Sequence, residues 1–276
     1  MAQSRSFIVG EDVADPLLLP DASMPEIDAD LLASFLADRK SHRVGYYFEA
    51  LLLFWLQHVR GVEIEGAGIQ IRDGKRTVGE LDLLFRDEAG RLTHWEASVK
   101  FFLHHPNTVG SHFPGPNARD SFEAKMTKLF DQQLSLSIEH RPEVTVRQAC
   151  VKGAVFYHPA VARPVVLPDR MAADHGTGWW IRSSELALLD AGEWDAGAVA
   201  QKPHWLGAPP TEDLMVTTEL VAHLQAHFAA VGHPVMVWLM KGVTDSRLFV
   251  VGDMWPEHHA SGSSGPSEGI AQPARR

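Results

Sequence analysis

Two acidic residues and a lysine lie within two short segments that read as strands of one hairpin. The first segment is GELDLL at residues 79–84, which contains Asp82, and the second is HWEASVK at residues 94–100, which contains Glu96 and Lys100. Charged side chains among Leu, Phe and Trp on a half-buried strand need a physical reason, because burying an unpaired charge is costly. These residue types favour one explanation, which is a divalent metal site that acts on a phosphodiester.

The turn between the two segments sets their register. Residues 87–91 read Asp-Glu-Ala-Gly-Arg, which suits a three-residue loop with Gly90 in the left-handed backbone region. Asp87 is then opposite Arg91 at the end of the hairpin. A loop longer or shorter by one residue would turn the side chains of one strand to the other face.

Counting back from this turn identifies the side chains that face one another. Asp82 lies opposite Glu96 in this register. Glu80 lies opposite Ser98 on the same face, which Lys100 shares, because side chains alternate along a strand. Two carboxylates opposite each other repel unless a cation lies between them, and Mg²⁺ or Mn²⁺ with oxygen ligands meets that need. An ordinary hairpin with a solvated charged face is the alternative.

At these residues the chain resembles the PD-(D/E)XK nuclease superfamily, in which an Asp on one strand and Glu-X-Lys on the next bind metal and activate water. It is similar more specifically to a bacterial family catalogued as domain of unknown function 1853, over about residues 43–256. The resemblance implies that Asp82, Glu96 and Lys100 are catalytic and that Asp82 and Glu96 hold the metal. Lysine follows glutamate by two positions in the superfamily pattern, whereas Ser98 stands there in this chain. A bulge at residues 97–99 would draw the Lys100 amine back towards Glu96.

A further carboxylate precedes the hairpin. Residues 44–56 are apolar nearly all round, which predicts a buried helix, and Glu49 is their only charge. The resemblance assigns Glu49 to the metal beside the two strand carboxylates. The structural alternative is a buried ion pair with Arg43 or Arg60.

A second helix is predicted to open at Asp120 or Ser121. Lys125, Lys128 and Gln132 recur along it at helical spacing, either against a phosphate backbone or as the wet face of an amphipathic helix. Gln132 is a candidate for contact with the site or the substrate. Glu80 and Ser98 on the hairpin are retained in the same supporting role.

Length and composition bound the fold. A chain of 276 residues that is 45% hydrophobic can bury a large core, which predicts one elaborated three-layer α/β domain. The resemblance implies a restriction-endonuclease-like core, with a central mixed sheet flanked by helices, plus C-terminal additions. We expect an acidic N-terminal extension at residues 1–42 with a short helix at 29–40, a single domain at 43–256, and a disordered tail at 257–276.

Hydrophobic patterning predicts seven strands and a C-terminal amphipathic helix at residues 214–230. The segment from 104 to 117, rich in His, Pro, Asn and Gly, follows the Lys100 strand and is predicted to be a loop over the site. The predicted strands cover residues 68–71, 78–85, 92–102, 149–157, 179–181, 235–241 and 248–251.

Charge and cysteine content bear on partners and location. The net charge of −10 argues against a strong non-specific nucleic-acid binder, although residues 68–152 hold 12 basic and 11 acidic residues and are the least acidic part. We therefore expect weak, local contacts with nucleic acid. A single cysteine, no signal-peptide pattern and no apolar run long enough to span a bilayer indicate a cytoplasmic protein without a membrane segment.

These features favour a metal-dependent phosphodiesterase that hydrolyses nucleic acid. The alternative is a catalytically inactive nuclease-like fold that acts as a binding or interaction module, which the displaced lysine and the acidic charge favour. Other reaction classes are disfavoured. The Gly-X-Ser-X-Gly match at residues 265–269 lies in the tail predicted to be disordered and forms no elbow between a strand and a helix, and the chain lacks a Gly-rich phosphate loop. His104, His105 and His112 are close in sequence but lack the spacing of zinc ligands.

Overall fold

The computed structural model describes residues 7–14, 25–39, 41–107, 110–189 and 194–256, and within these ranges it contains five α-helices and eleven strands. The helices are α1 (Ala29–Ala37), α2 (Val44–Phe54), α3 (Phe122–Thr127), α4 (Leu134–His140) and α5 (Thr217–Ala230). The strands are β1 (Glu63–Asp73), β2 (Arg76–Arg86), β3 (Leu92–Leu103), β4 (His105–Asn107), β5 (Gly110–His112), β6 (Val146–Tyr157), β7 (Gly176–Arg182), β8 (Ala196–Val199), β9 (Met215–Val216), β10 (Val235–Lys241) and β11 (Thr244–Val251).

Two helices continue into wider, π-helical turns. One turn spans Trp55–Val59 at the end of α2, and the other spans Lys128–Gln133 between α3 and α4. A π turn accommodates about one more residue than an α turn, so it rotates every following side chain around the helix axis. The second turn changes which residues of this helix face the sheet.

Nine of the described strands form one sheet in the order β1-β2-β3-β6-β7-β11-β10-β8-β9, while β4 and β5 form a separate hairpin. Neighbouring strands are parallel in the centre, for β3 with β6, β6 with β7 and β7 with β11. They are antiparallel towards both edges. The sheet is therefore mixed, as predicted.

Strand β6 shows why the central strands are covered on both faces. From Ala149 onwards its sequence ACVKGAVFY is apolar except for Lys152, which is typical of a strand buried on both sides. Cys150 and Phe156 pack in a cluster with Phe48 and Leu52 of α2, whereas Val151 packs in a different cluster. That second cluster also contains Phe122, Met126, Leu129 and Leu134, which belong to the helical segment from α3 to α4.

Helix α5 covers the other half of the sheet. Leu220 and Leu224 pack with Val237 and Val250, while the alternate residues of β10 and β11 face the cluster around α2. Helix α2 therefore lies on one face, and the α3–α4 segment and α5 lie on the other. The expectation of a three-layer α/β core is confirmed.

All seven predicted strands are present, and each predicted segment lies within an observed strand. Several observed strands are longer than predicted, most of all β1, which begins five residues earlier and ends two residues later. The predicted helices correspond to α1, α2, the α3–α4 segment and α5. The pattern missed β8 and β9, which are only four and two residues long. The first half of the predicted loop at 104–117 forms the β4–β5 hairpin instead, and His105 contacts the ring of Trp255 there.

The loop between β2 and β3 has the predicted form. Gly90 adopts a φ of 74°, and the Asp87 backbone N–H donates to the Arg91 carbonyl at 3.0 Å. The Asp87 carboxylate accepts from the Ala89 and Arg91 backbone amides, which fixes the turn from inside. The paired residues run from Arg86 with Leu92 to Leu83 with Trp95, which confirms the predicted register.

Residues 7–14 pack against the same core as the rest of the domain. Phe7 and Ile8 are buried, and Ala14 donates its backbone N–H to the Ala149 carbonyl of β6 at 2.9 Å. The remaining parts of the predicted N-terminal extension, at 1–6, 15–24 and 40, and the predicted disordered tail at 257–276 lie outside the described residues. Of the helices that the structure describes, none combines the length and apolar character needed to cross a membrane.

Candidate functional site

Asp82 lies where strands β2 and β3 separate. The last paired residues are Leu83 and Trp95, and at the next position the Asp82 carboxylate Oδ2 accepts the backbone N–H of Ala97 at 2.8 Å. The side chain thus takes the place of a backbone carbonyl in the ladder, which satisfies a donor that the separation would leave unpaired. This contact holds a half-buried carboxylate at the point where the strands diverge.

Glu96 is wholly buried on β3 and is held by two side chains. The His94 imidazole Nε2 is 2.9 Å from Glu96 Oε1, and the Gln133 amide donates to Oε2 at 2.6 Å. Burial lowers the pKa of His94 to about 4, so this ring is neutral and has one N–H to donate to the carboxylate. Glu96 therefore has a fixed orientation before any ligand binds.

A second row of contacts fixes the imidazole in turn. His94 Nδ1 is 2.9 Å from the Ser137 hydroxyl of α4, and that hydroxyl accepts from Arg147 Nε at 2.9 Å. Arg147 also donates to the Ser137 carbonyl. These bonds join β3, α4 and β6 around Glu96. Helix α4 can approach this closely because residue 79 on β2 is glycine, where a Cβ would collide with Leu136.

The carboxyl groups of Asp82 and Glu96 are within hydrogen-bonding reach of each other. Burial and then the charge of Glu96 raise the pKa of Asp82 to about 7, and burial raises the pKa of Glu96 to about 7. Two adjacent carboxyl groups with raised pKa values retain a proton between them more readily than isolated carboxyl groups do. A bound cation would take the place of that proton.

Glu49 of α2 joins this acidic cluster. Burial and, to a smaller extent, the charges of Asp82, Glu80 and Glu96 raise its pKa to about 8. Neither arginine of the alternative ion pair is bonded to Glu49 in the described structure. Arg60 donates to Glu88 at 2.6 Å, and the Arg43 guanidinium lies over the Tyr46 ring.

The two lysines near the cluster differ in what they contact. The Lys100 amine donates to Asp120 at 3.1 Å. The pairing of β3 with β6 is uninterrupted, so this ladder contains no bulge at 97–99 that would draw the amine back towards Glu96. Lys125 of α3 instead donates to Gln133 Oε1 at 2.9 Å. Burial and the charge of Lys100 lower the pKa of Lys125, while the charges of Glu96 and Asp82 raise it. Lys125 therefore brings its positive charge to the carboxylates.

The three residues predicted to support the site, Glu80, Ser98 and Gln132, differ in how deeply they are buried. Ser98 is buried on β3 and Glu80 is half-buried beside Gly68 of β1. Gln132 is exposed, and its neighbour Gln133 is the glutamine that binds Glu96. The π turn at Lys128–Gln133 causes this difference, because it turns the residue after the one expected towards the site. His94, Ser137 and Arg147 were not singled out by any motif.

Carboxylate oxygens are the ligands that Mg²⁺ and Mn²⁺ prefer, and Asp82, Glu96 and Glu49 supply them. Burial is the main cause of the raised pKa values of these three groups. In the part of the chain that the structure describes, no three His, Cys, Asp or Glu side chains converge on one point that could hold a metal ion. The chemistry of Asp82 and Glu96 fits such a cation, with Glu49 as the nearby third carboxylate.

The raised pKa values predict that metal-free protein loses stability as pH rises. Asp82 and Glu96 bind protons more tightly in the folded state than in the unfolded state, where their pKa values are about 3.9 and 4.3. Their contribution is present below about pH 4 and is lost as pH rises through about 7. In chelator we expect the melting temperature at about pH 8 to be roughly 5 °C lower than at about pH 5.5, which corresponds to ~2 kcal/mol.

Differential scanning fluorimetry with and without Mn²⁺ measures this. The variant Asp82→Asn/Glu96→Gln is the control, since it lacks both titrating groups and its melting temperature should change less over the same pH interval. Saturating Mn²⁺ should reduce the difference in the wild type by binding the ionised carboxylates. Equal melting temperatures at the two pH values in chelator would contradict the electrostatic description of the site.

The fold and the site together define a mixed α/β protein with a buried acidic cluster at the point where β2 and β3 separate. Lys125 of the neighbouring helix α3 contributes positive charge to this cluster. The chain belongs to the family described as domain of unknown function DUF1853, which matches residues 11–251. Neither the curated proteins nor the solved structures contain a match to the chain.

Proposed function

We propose that the protein is a metal-dependent phosphodiesterase of the PD-(D/E)XK type, which hydrolyses phosphodiester bonds of nucleic acid. The observation that carries the proposal is the meeting of Asp82 and Glu96 where β2 and β3 separate. Asp82, Glu96 and Glu49 are the residues that hold Mg²⁺ or Mn²⁺. When bound, the cation polarises the scissile phosphate and lowers the pKa of a water molecule.

The chain's own residues then have distinct roles. His94 and Gln133 hold the Glu96 carboxylate in one orientation, so that no reorganisation is needed when substrate binds. Lys125 places an ammonium group near the developing negative charge of the transition state, where a preorganised cation has its largest effect. Lys100, the lysine predicted from the sequence, is turned towards Asp120 and is assigned a substrate-binding role.

Composition supports a proposal for where the protein acts and how strongly it binds nucleic acid. One cysteine provides no disulfide within the chain, in keeping with a reducing cytoplasm. The net charge of −10 restricts nucleic-acid binding to local contacts around the site.

A second candidate function is a binding module that keeps the fold without hydrolysis. It is favoured by the contact of Lys100 with Asp120 and by the absence of three convergent metal ligands from the described residues. The two functions differ in whether phosphodiester bonds are broken, which a cleavage assay measures directly.

The test is cleavage of plasmid DNA, single-stranded DNA and RNA by the full chain in Mg²⁺, Mn²⁺ or chelator. We expect cleavage that requires the metal and is lost in Glu96→Gln, which keeps the size of the side chain and removes its charge. Cleavage that persists unchanged in the variant would refute the role assigned to Glu96. No cleavage of any substrate under these conditions would contradict the proposed activity and favour the binding module.

A further inference from the structure

A basic pocket lies beside the acidic site, at the Lys100 end of β3. Its cavity has a volume of about 290 Å³. Four of its lining residues are basic and one is acidic, so its charge is opposite to that of the cluster around Glu96. These residues are His42, Arg43, Lys100, Lys202 and Asp120, and Trp205 also lines the cavity.

Two of the basic groups have no carboxylate partner within the described residues. Asp120 is engaged by Lys100 at 3.1 Å, which leaves the charges of Arg43 and Lys202 uncompensated. Lys202 lies over the Trp205 ring at 4.6 Å, and Arg43 lies over the Tyr46 ring at 5.7 Å. An aromatic face orients a cation without neutralising it, so both remain able to bind an anion. The protein as a whole is acidic, with a net charge of −10. A cavity with two unpaired cations is an exception to this overall charge and favours an anionic ligand.

Two lysines, Lys100 and Lys125, relate the pocket to the acidic site. Lys100 is four residues beyond Glu96 on β3, a distance of roughly 13 Å along an extended strand. The charges of Lys100, Glu96 and Asp82 all act on Lys125 of α3, so Lys125 is near both places. Lys100 and Lys125 thus add positive charge to the region that the two sites share.

We infer that the pocket binds a phosphate group of the substrate strand other than the one that is cleaved, so that the substrate is a polynucleotide strand rather than a small phosphodiester. This inference rests on the proposed function for the identity of the ligand. It goes further in giving the protein a second phosphate contact, made by Arg43 and Lys202. Arginine and lysine suit this contact because both stay charged at neutral pH and donate to phosphate oxygens.

The test is binding rather than cleavage, so that it does not depend on activity. Fluorescence anisotropy is measured with a labelled single strand of about 12 nucleotides and with a labelled dinucleotide, in Ca²⁺, for wild type and for Arg43→Gln/Lys202→Gln. We expect the variant to bind the longer strand about tenfold more weakly. The slope of log affinity against log salt should decrease by about 0.7, since the contact with one phosphate of a single strand is lost. Affinity for the dinucleotide should change less.

The matched control is Arg72→Gln/Arg76→Gln, which removes the same charge from exposed positions on the β1–β2 hairpin. It should change the affinity for the longer strand by less than about twofold. Equal affinities of wild type and the pocket variant, or an equal loss in the control, would overturn the inference. A protein that binds the strand through the pocket and never cleaves it would refute the proposed function while leaving the phosphate site in place.

Discussion

Replacing Asp82 by asparagine is expected to reduce metal-dependent cleavage about a thousandfold while leaving the protein folded. The asparagine carbonyl can still accept the Ala97 backbone N–H that Asp82 accepts at 2.8 Å. What is lost is the negative charge that a divalent cation requires next to Glu96. Alanine is a poorer choice, because it would also leave the Ala97 N–H unpaired, at a cost of about 1–3 kcal/mol.

Two measurements separate the loss of metal from the loss of chemistry. Isothermal titration of Mn²⁺ should show binding to the wild type and at least about tenfold weaker binding to Asp82→Asn. Single-turnover cleavage at several Mn²⁺ concentrations then shows whether excess metal restores the rate. The matched control is Asp131→Asn, which removes a charge from an exposed position on the adjacent helical segment. Full cleavage by Asp82→Asn would refute the assignment of the site.

Replacing Lys125 by glutamine is expected to lower kcat about a hundredfold and to lower kcat/KM by a similar factor. Glutamine retains a donor for Gln133, which Lys125 contacts at 2.9 Å, but it brings no charge to the carboxylates. The effect should appear in the chemical step, because the ammonium stabilises charge that develops only in the transition state. Mn²⁺ binding by titration should be retained, which distinguishes this variant from Asp82→Asn.

Lys128→Gln and Lys100→Gln complete the comparison. Lys128 is exposed on the same helical segment, so its variant controls for the loss of one positive charge. Lys100→Gln should lower kcat less than Lys125→Gln, because the Lys100 amine is engaged by Asp120. If Lys100→Gln instead abolished cleavage and Lys125→Gln did not, the lysine of β3 would be the catalytic one, as the sequence pattern predicts.

Local sequence was sufficient to predict the hairpin. The five residues of its turn specify a three-residue loop with glycine in the left-handed position, and the observed φ of 74° at Gly90 agrees. Once the turn is known, alternation along the two strands determines that Asp82 faces Glu96. The strands of the central sheet were predicted for a similar reason, since a strand buried on both faces is apolar over its whole length.

The helix that follows shows where sequence periodicity failed. A spacing of three and four residues from Lys125 leads to Gln132, which is exposed, whereas the residue bonded to Glu96 is Gln133. The π turn at Lys128–Gln133 adds one residue to the repeat. Periodicity assumes a regular α-helix, and the packing of this helix against the sheet decides whether a wider turn is adopted.

The sequence by itself determined the hairpin, its register and the pair of acidic residues that face each other across it, because these depend on a turn of five residues and on the alternation of side chains. The tertiary structure alone decided which lysine brings its charge to the pair and which side chains hold Glu96. Lys100 is too far along an extended strand to reach back to Glu96, whereas Lys125, Gln133 and Ser137 come from a helical segment that packs across the sheet. Contacts between elements distant in the chain depend on how whole surfaces pack, and no local pattern in this sequence specifies that packing.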